Sequence, residues 1–475
     1  MARFQAAEYS PEADMIALEP ASPRPYVNVN VNKVDDFVSF EDSIELGETH
    51  RISIASGVVD LAYPLLQPLI PDGPYGPFDQ PPNGASHMRT TFFVNFEMPT
   101  RHVKESSTGV VGQMYVEHLQ PEHIIHCFPI VLIHGDWHTG QIWNTKPDGK
   151  PGWASFFVLQ GYQVYIVDLP PCGRSTLSDG SRMQRAMRLN TLDVGIVERN
   201  LTAPAKQNHE AWPTAHLHNK WPGTGRPGDV FFENYCASLV PLPLKKAERQ
   251  HVAQVALASL LDRTGKTILV GEGTGATMAW LAADKRPDLV AAVVAAEPAG
   301  PPAGTNSSQG PDGVRRFSSH IRFEPGMRKY GLADIPLTFD PSPNCAPELS
   351  PHTFYKDDGQ QQTCILQHRC RGLIANDPAS FHGGRWLNGG DPRKLVNLQQ
   401  MRHAIVTAPA SSHSTYDWAT TEFLKQAGVD ALSIKLEQYG IFGNGHLMFL
   451  ETNSDEVASL ISIWIGFNTL EDKSS

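Results

Sequence analysis

Short apolar runs rich in valine and isoleucine recur along the chain from about residue 110: GQMYVEHL, FPIVLIHG, QVYIVDLP, KTILVGEG, AAVVAAEP and HAIVTAPA. Apolar residues at successive rather than alternate positions suit strands of a parallel sheet covered on both faces. Helical patterns lie between several of them. ATMAWLAADK ends before Pro287, and YDWATTEFLKQAG stops at Gly428, a residue type that commonly terminates helices. Strand and helix alternate, so the expected class is α/β, with a mostly parallel central sheet flanked by helices.

Three stretches depart from this alternation. Residues 1–105 hold few periodic segments and include PLLQPLIPDGPYGPFDQPPNG, which suits neither a helix nor a central strand. They read as an N-terminal arm packed on a core domain at 106–470. Within that domain, about 176–250 (WPTAHLHNKWPGTGRPGD) and 300–400 (PPAGTNSSQGPDG, FHGGRWLNGGDP) read as lid or cap insertions, because long irregular segments in a compact domain are usually binding loops.

Composition narrows the range of functions. With 41% hydrophobic and 19% charged residues the chain can bury a substantial core. Its net charge of -11 argues against nucleic-acid or anionic-membrane partners and for a small molecule. No secretory leader or membrane span is evident, so a cytoplasmic location is expected, and a homodimer is left open. The six cysteines (Cys127, Cys172, Cys236, Cys345, Cys364, Cys370) read as free thiols. The 19 histidines form no HExxH or comparable ligand set, so neither metal nor cofactor is expected.

The chemistry centres on TILVGEGTGATMAW (267–280), a strand entering a helix through a glycine-rich turn. The turn lacks the third glycine of a GxGxxG dinucleotide loop. It matches instead the form of a GxSxG elbow with Gly273 at the centre, where a strained backbone conformation suits glycine.

HGDWHTGQIWNTKPDGKPGWASFFVLQGYQVYIVDLPPCGRS (134–175), ADKRPDLVAAVVAAEPAGPP (283–302), KYGLADIPLTFDPSP (329–343) and GIFGNGHLMFLETN (440–453) resemble, in order, a fungal and bacterial esterase branch of the α/β-hydrolase superfamily. The resemblance implies that fold over most of residues 110–465. It also implies a GHSQG-like elbow whose serine is the nucleophile. Here Gly271-Glu272-Gly273-Thr274-Gly275 stands instead, so three residues differ, which reads as divergence rather than a single substitution.

By the same resemblance His446 is the catalytic histidine. Glu297, at the end of AAVVAAEP, is the acid that orients it, with Asp417 as the alternative. An oxyanion hole needs only backbone N–H groups, from Thr274 on one side and Asp136 or Trp137 on the other. Glu272, His138 and Asp417 are candidate pocket residues, Glu272 being either an additional acid or a hydrogen-bonded structural carboxylate. Thr274, one position along, would point away from His446 and is no substitute nucleophile.

A histidine–carboxylate dyad with an oxyanion hole and no serine suits proton abstraction beside a carbonyl, without a cofactor. Non-hydrolytic carbon–carbon bond formation or cleavage, cyclisation, isomerisation or elimination is the leading expectation. Since fungal members of the branch often resemble natural-product accessory enzymes, the substrate would be an apolar, carbonyl-containing polyketide-like or terpenoid-like intermediate. Two other readings stand beside it: a hydrolase in which His446 activates water, and a pseudo-hydrolase that only binds its ligand.

Overall fold

The computed structural model describes residues 80–95, 112–175, 191–206, 211–324, 326–342 and 393–469, with the backbone of four further strands between 349 and 386. In chain order the strands begin with β1 (His87–Val94), β2 (Met114–Pro121), β3 (Ile130–Ile133), β4 (Val164–Asp168), β5 (Thr267–Glu272), β6 (Val290–Ala296), β7 (Gly304–Gln309) and β8 (Arg315–Phe323). There follow β9 (Leu349–Tyr355), β10 (Gln361–Gln367), β11 (Phe381–His382), β12 (Arg385–Trp386), β13 (Arg402–Thr407) and β14 (Ala431–Lys435). Helices are α1 (Trp153–Leu159), α2 (Val194–Val197), α3 (Val230–Ser238), α4 (Lys246–Thr264), α5 (Thr274–Lys285), α6 (Asp417–Gln426) and α7 (Ser454–Asn468).

All six apolar runs form strands of one eight-stranded sheet, ordered β1, β2, β4, β3, β5, β6, β13, β14. From β4 to β14 every neighbouring pair is parallel. The GQMYVEHL strand is the exception: β2 pairs antiparallel with both β1 and β4. Its link to β3, residues 122–129, is shorter than the dozen or more residues a crossover between parallel strands requires, so β3 sets off in the reverse direction. β1 lies inside the stretch assigned to the arm, which therefore adds an edge strand to the sheet. The rest of the arm, residues 1–79 and 96–105, lies outside the described residues.

Alternate residues of each central strand enter opposite cores. Val131, Ile133, Leu269 and Val293 pack with α4, α5 and α6, whereas Ile130, Leu132, Val270 and Val294 pack with α1 and α7. Both faces are dry, which is why these runs lack a polar alternate position; each such side chain contributes about 1.5–3 kcal/mol when fully buried. No described helix is long and apolar enough to cross a membrane.

The two insertions differ in character. The described part of the second is built of antiparallel hairpins, β7 with β8, β9 with β10 and β11 with β12. The described part of the first is tied down rather than free-standing. The Trp212 indole donates to the Ala410 carbonyl at 3.0 Å, the His218 ring is 2.7 Å from Glu451, and the Val240 amide donates to the Trp137 carbonyl at 2.9 Å.

The β5-to-α5 turn positions the site and admits no larger residue on either flank. A Cβ on Gly275 would lie 2.6 Å from the His134 carbonyl oxygen and closer still to that of Ile133; one on Gly271 would lie 2.6 Å from the Gly275 carbonyl and the Ala276 nitrogen. Backbone cannot yield as a side chain can. Gly275→Ala should cost about 1–3 kcal/mol by overpacking, read as a lower denaturant midpoint with an unchanged slope. An unchanged midpoint would contradict this packing.

Candidate active site

The site forms where the loops after β3, β5, β6, β13 and β14 leave the carboxyl ends of parallel strands, the usual ligand edge of an open α/β sheet. Gly273, between β5 and α5, has φ 53° and ψ −120°, a conformation that strains any residue with a Cβ. Unlike its flanking glycines it has room. An ideal Cβ here would sit 4.0 Å from both Cε1 and Nε2 of His446 and meet no other atom within 4 Å beyond its chain neighbours.

His446 lies on the loop between β14 and α7, with a fifth of its side chain exposed. Buried bonds position this loop. Glu451, with no exposed surface, accepts from the Gly445 amide at 2.9 Å, from Asn444 Nδ2 at 2.8 Å, and lies 2.7 Å from His218 Nε2. The Ala410 amide donates to the Asn444 carbonyl at 2.9 Å.

His446 Nδ1 is 2.8 Å from Oε2 of Glu297, at the end of β6. Glu297 is fully buried and satisfied: Ala408 N donates to Oε1 at 2.9 Å and Ser411 Oγ to Oε2 at 2.6 Å. Its backbone has φ 47°, a conformation costing a non-glycine residue about 1–3 kcal/mol. The Glu297 amide donates to the Val406 carbonyl, and the nearby Ala299 amide to the Gly273 carbonyl, which hold the turn in place.

Asp417, the alternative acid, does not bond His446. Its carboxylate accepts from Thr407 Oγ1 at 2.8 Å and lies 3.2 Å from His413 Nδ1. Burial pushes its carboxyl well above the usual carboxylate range, with the Thr407 hydrogen bond opposing. Burial likewise pushes His413 down to about 3. His413 is therefore a neutral ring, stacked on His446 with centroids 4.8 Å apart and planes at 13°. Burial would depress His446 too, but the hydrogen bond and charge of Glu297, with the charge of Glu272, hold it above 6.5.

Glu297, His413 and His446 also bring ligand-type atoms within 4.8 Å of one another. Imidazole lone pairs lie in the ring plane, and these two planes are nearly parallel, so both rings cannot aim at one ion without giving up the contacts that fix them. The arrangement fits a dyad rather than a metal centre.

Across the turn, the Asp136 side chain, as distinct from its backbone amide, is paired. It accepts from Thr274 Oγ1 at 2.9 Å and from Arg249 Nη2 at 2.8 Å, joining the β3 loop to the first turn of α5 and occupying the threonine hydroxyl. Thr274 opens α5, so its amide is among those without an intrahelical acceptor. Trp137, at φ 64°, continues the loop.

Glu272 is tied into the loop after β3: it accepts from the Gly135 amide and lies 2.7 Å from His138 Nδ1. Burial opposes its ionisation, but the charge and hydrogen bond of His138 lead the influences that hold it below its ordinary value. His138 does not line an open pocket, being buried with Nε2 2.8 Å from the Tyr235 hydroxyl.

The residues that sequence reasoning overlooked are His413, Ser411 and Tyr235. The first two sit in SSHST directly after HAIVTAPA, and a polar cluster at a strand's carboxyl end is a usable signal; Tyr235, inside an insertion, gave none. Because the folded state binds the His446 proton more tightly than the unfolded chain, this group contributes stability below pH 6.5 that is lost as pH rises through its raised folded value. In Glu297→Gln the ring's titration, followed by NMR, should fall from above 6.5 to below it; a value that stays put would sever Glu297 from His446.

The sequence pattern of the Alpha/beta hydrolase family matches residues 130–460. A protein named "Probable secreted lipase phiG", from Fungal sp. (strain ATCC 74256), is 34% identical over 354 residues, covering 74% of this chain and 85% of its own. Among solved structures, a bacterial esterase aligns with 82% of this chain and 99% of its own at 19% identity and TM-score 0.47. The naproxen esterase of Bacillus subtilis aligns with 80% and 93% at 11% identity and TM-score 0.33. With the family pattern over residues 130–460 and the 34%-identical relative, together with its sheet order and strand-to-helix turn, the chain belongs to the alpha/beta hydrolase family.

Proposed function

We propose that this protein is a cofactor-independent acid–base enzyme acting on an apolar, carbonyl-bearing small molecule, with His446 as the base and no acyl-enzyme step. One observation carries the reading: His446 Nε2 faces open space above Gly273 while Nδ1 is held by Glu297. Gly273 stands where the family's elbow would carry its serine, so the imidazole has no hydroxyl to deprotonate and meets whatever occupies that space.

With a substrate carbonyl oxygen at the Thr274 and Trp137 amides, Nε2 takes a proton from the adjacent carbon. The C–H pair moves into the C–C bond and the oxygen becomes an enolate held by those donors. Glu297 stabilises the imidazolium, which returns its proton to carbon or to a leaving group. A positioned base of this kind contributes about 10² to 10⁴-fold. Carbon–carbon bond formation or cleavage, isomerisation and elimination share this step.

The lipase name of the 34%-identical relative favours a second reading, in which His446 deprotonates a water in the same space and the water attacks an ester. The two differ in the origin of one oxygen. With a metabolite extract in ¹⁸O-water, mass spectrometry should show a product made by the wild type, reduced about 10² to 10⁴-fold in His446→Ala, and free of label. Label in that product would replace the first reading by the second, and an undiminished His446→Ala would end both.

The unfilled elbow makes a separate prediction. Gly273→Ser should gain covalent labelling by a serine-directed fluorophosphonate probe, since the new side chain would start 4.0 Å from Nε2. Wild type should remain unlabelled. A folded Gly273→Ser that resists the probe would show that the turn does not present its central residue to His446.

A further inference from the structure

On the second insertion, strand β8 carries Arg315 and Arg322 back against β7, and both reach one residue there. Arg315 Nε donates to Ser307 Oγ at 2.7 Å, and Arg322 Nη2 to the Ser307 carbonyl at 2.9 Å. Two guanidinium groups thus converge on a neutral residue. Neither has a carboxylate within 4 Å among the described residues, although acidic residues outnumber basic ones in the chain, 50 to 39. Facing them across a cleft of about 730 Å³ is Arg199, which follows α2 and also lacks a salt bridge there.

Two carboxylates share this lining, Asp312 and Glu324, together with Arg316. Asp312 is committed, since Arg316 grips it through both terminal nitrogens at 3.0 and 2.6 Å. What remains is three uncompensated guanidiniums against one carboxylate, with the Ser307 and Ser308 hydroxyls beside them. Like charges brought together on a folded hairpin repel, and an anion relieves that repulsion. A carboxylate offers two acceptor oxygens; a terminal phosphoryl group offers three and a larger charge, matching three forked donors. The volume also leaves room for an organic remainder of metabolite size.

We propose that this cleft, formed by Arg199, Arg315 and Arg322, binds the phosphoryl end of a small molecule. The inference is independent of the His446 chemistry. It supplies a second ligand class for a protein whose dyad favours apolar carbonyl compounds.

Calorimetric titration of the full chain at low salt, with inorganic pyrophosphate and with succinate as probes, tests it. Pyrophosphate should bind at one saturable site, more tightly than succinate, and weaken as salt is raised. Arg315→Ala and Arg322→Ala should each lower its affinity about tenfold. Arg199→Ala, which removes no hydrogen bond of the folded chain seen here, should do the same without changing thermal stability in the absence of anion, so the test survives if the hairpin variants misfold. Succinate binding as tightly as pyrophosphate would make this a carboxylate site, and affinity unchanged in Arg199→Ala would place the anion elsewhere; either overturns the proposal.

Discussion

Everything at the candidate active site depends on one buried charge. Glu297 has no exposed surface, and a carboxylate taken out of water is costly unless donors surround it. The donors come from two loops far apart in sequence: the Ala408 amide and Ser411 hydroxyl after β13, and the His446 ring after β14. Satisfying that carboxylate therefore assembles the site. It also explains how a non-glycine residue is held at φ 47°, because the conformation that strains its backbone is the one that delivers its oxygens to all three partners.

The same device recurs nearby. Glu272 with His138 joins β5 to the loop after β3, and Glu451 with His218 joins the first insertion to the loop of His446. Loops at a sheet's carboxyl edge lack ladder partners for their backbone groups, and buried imidazole–carboxylate pairs supply both hydrogen bonds and rigidity there. The pairs differ in what surrounds them. Only His446 is both bonded to a carboxylate and turned toward open space, whereas His138 and His218 have their remaining surface buried. His413 completes the contrast: stacked on His446 yet held neutral by burial, it packs the base without competing for its proton.

The sequence by itself determined the sheet and its glycines. Consecutive apolar residues at Ile130–Ile133 and Ile268–Val270 leave no polar face, so these strands had to be covered on both sides, and all six such runs are strands. Spacing placed Gly273 in a strand-to-helix turn, while resemblance to esterases singled out His446 and Glu297, which the fold brings to 2.8 Å. Only the tertiary structure decided the rest, because it turns on which side chains meet, whether they lie 4 positions apart, as His413 and Asp417 do, or 134, as His138 and Glu272 do. It decided that β2 runs antiparallel, that Asp417 serves His413 rather than His446, and that His138 and Glu272 lock a loop. It alone brought Arg315 and Arg322 onto Ser307. A carboxylate's role is set by which donor reaches it and how much water remains, and neither is written in the spacing of the chain.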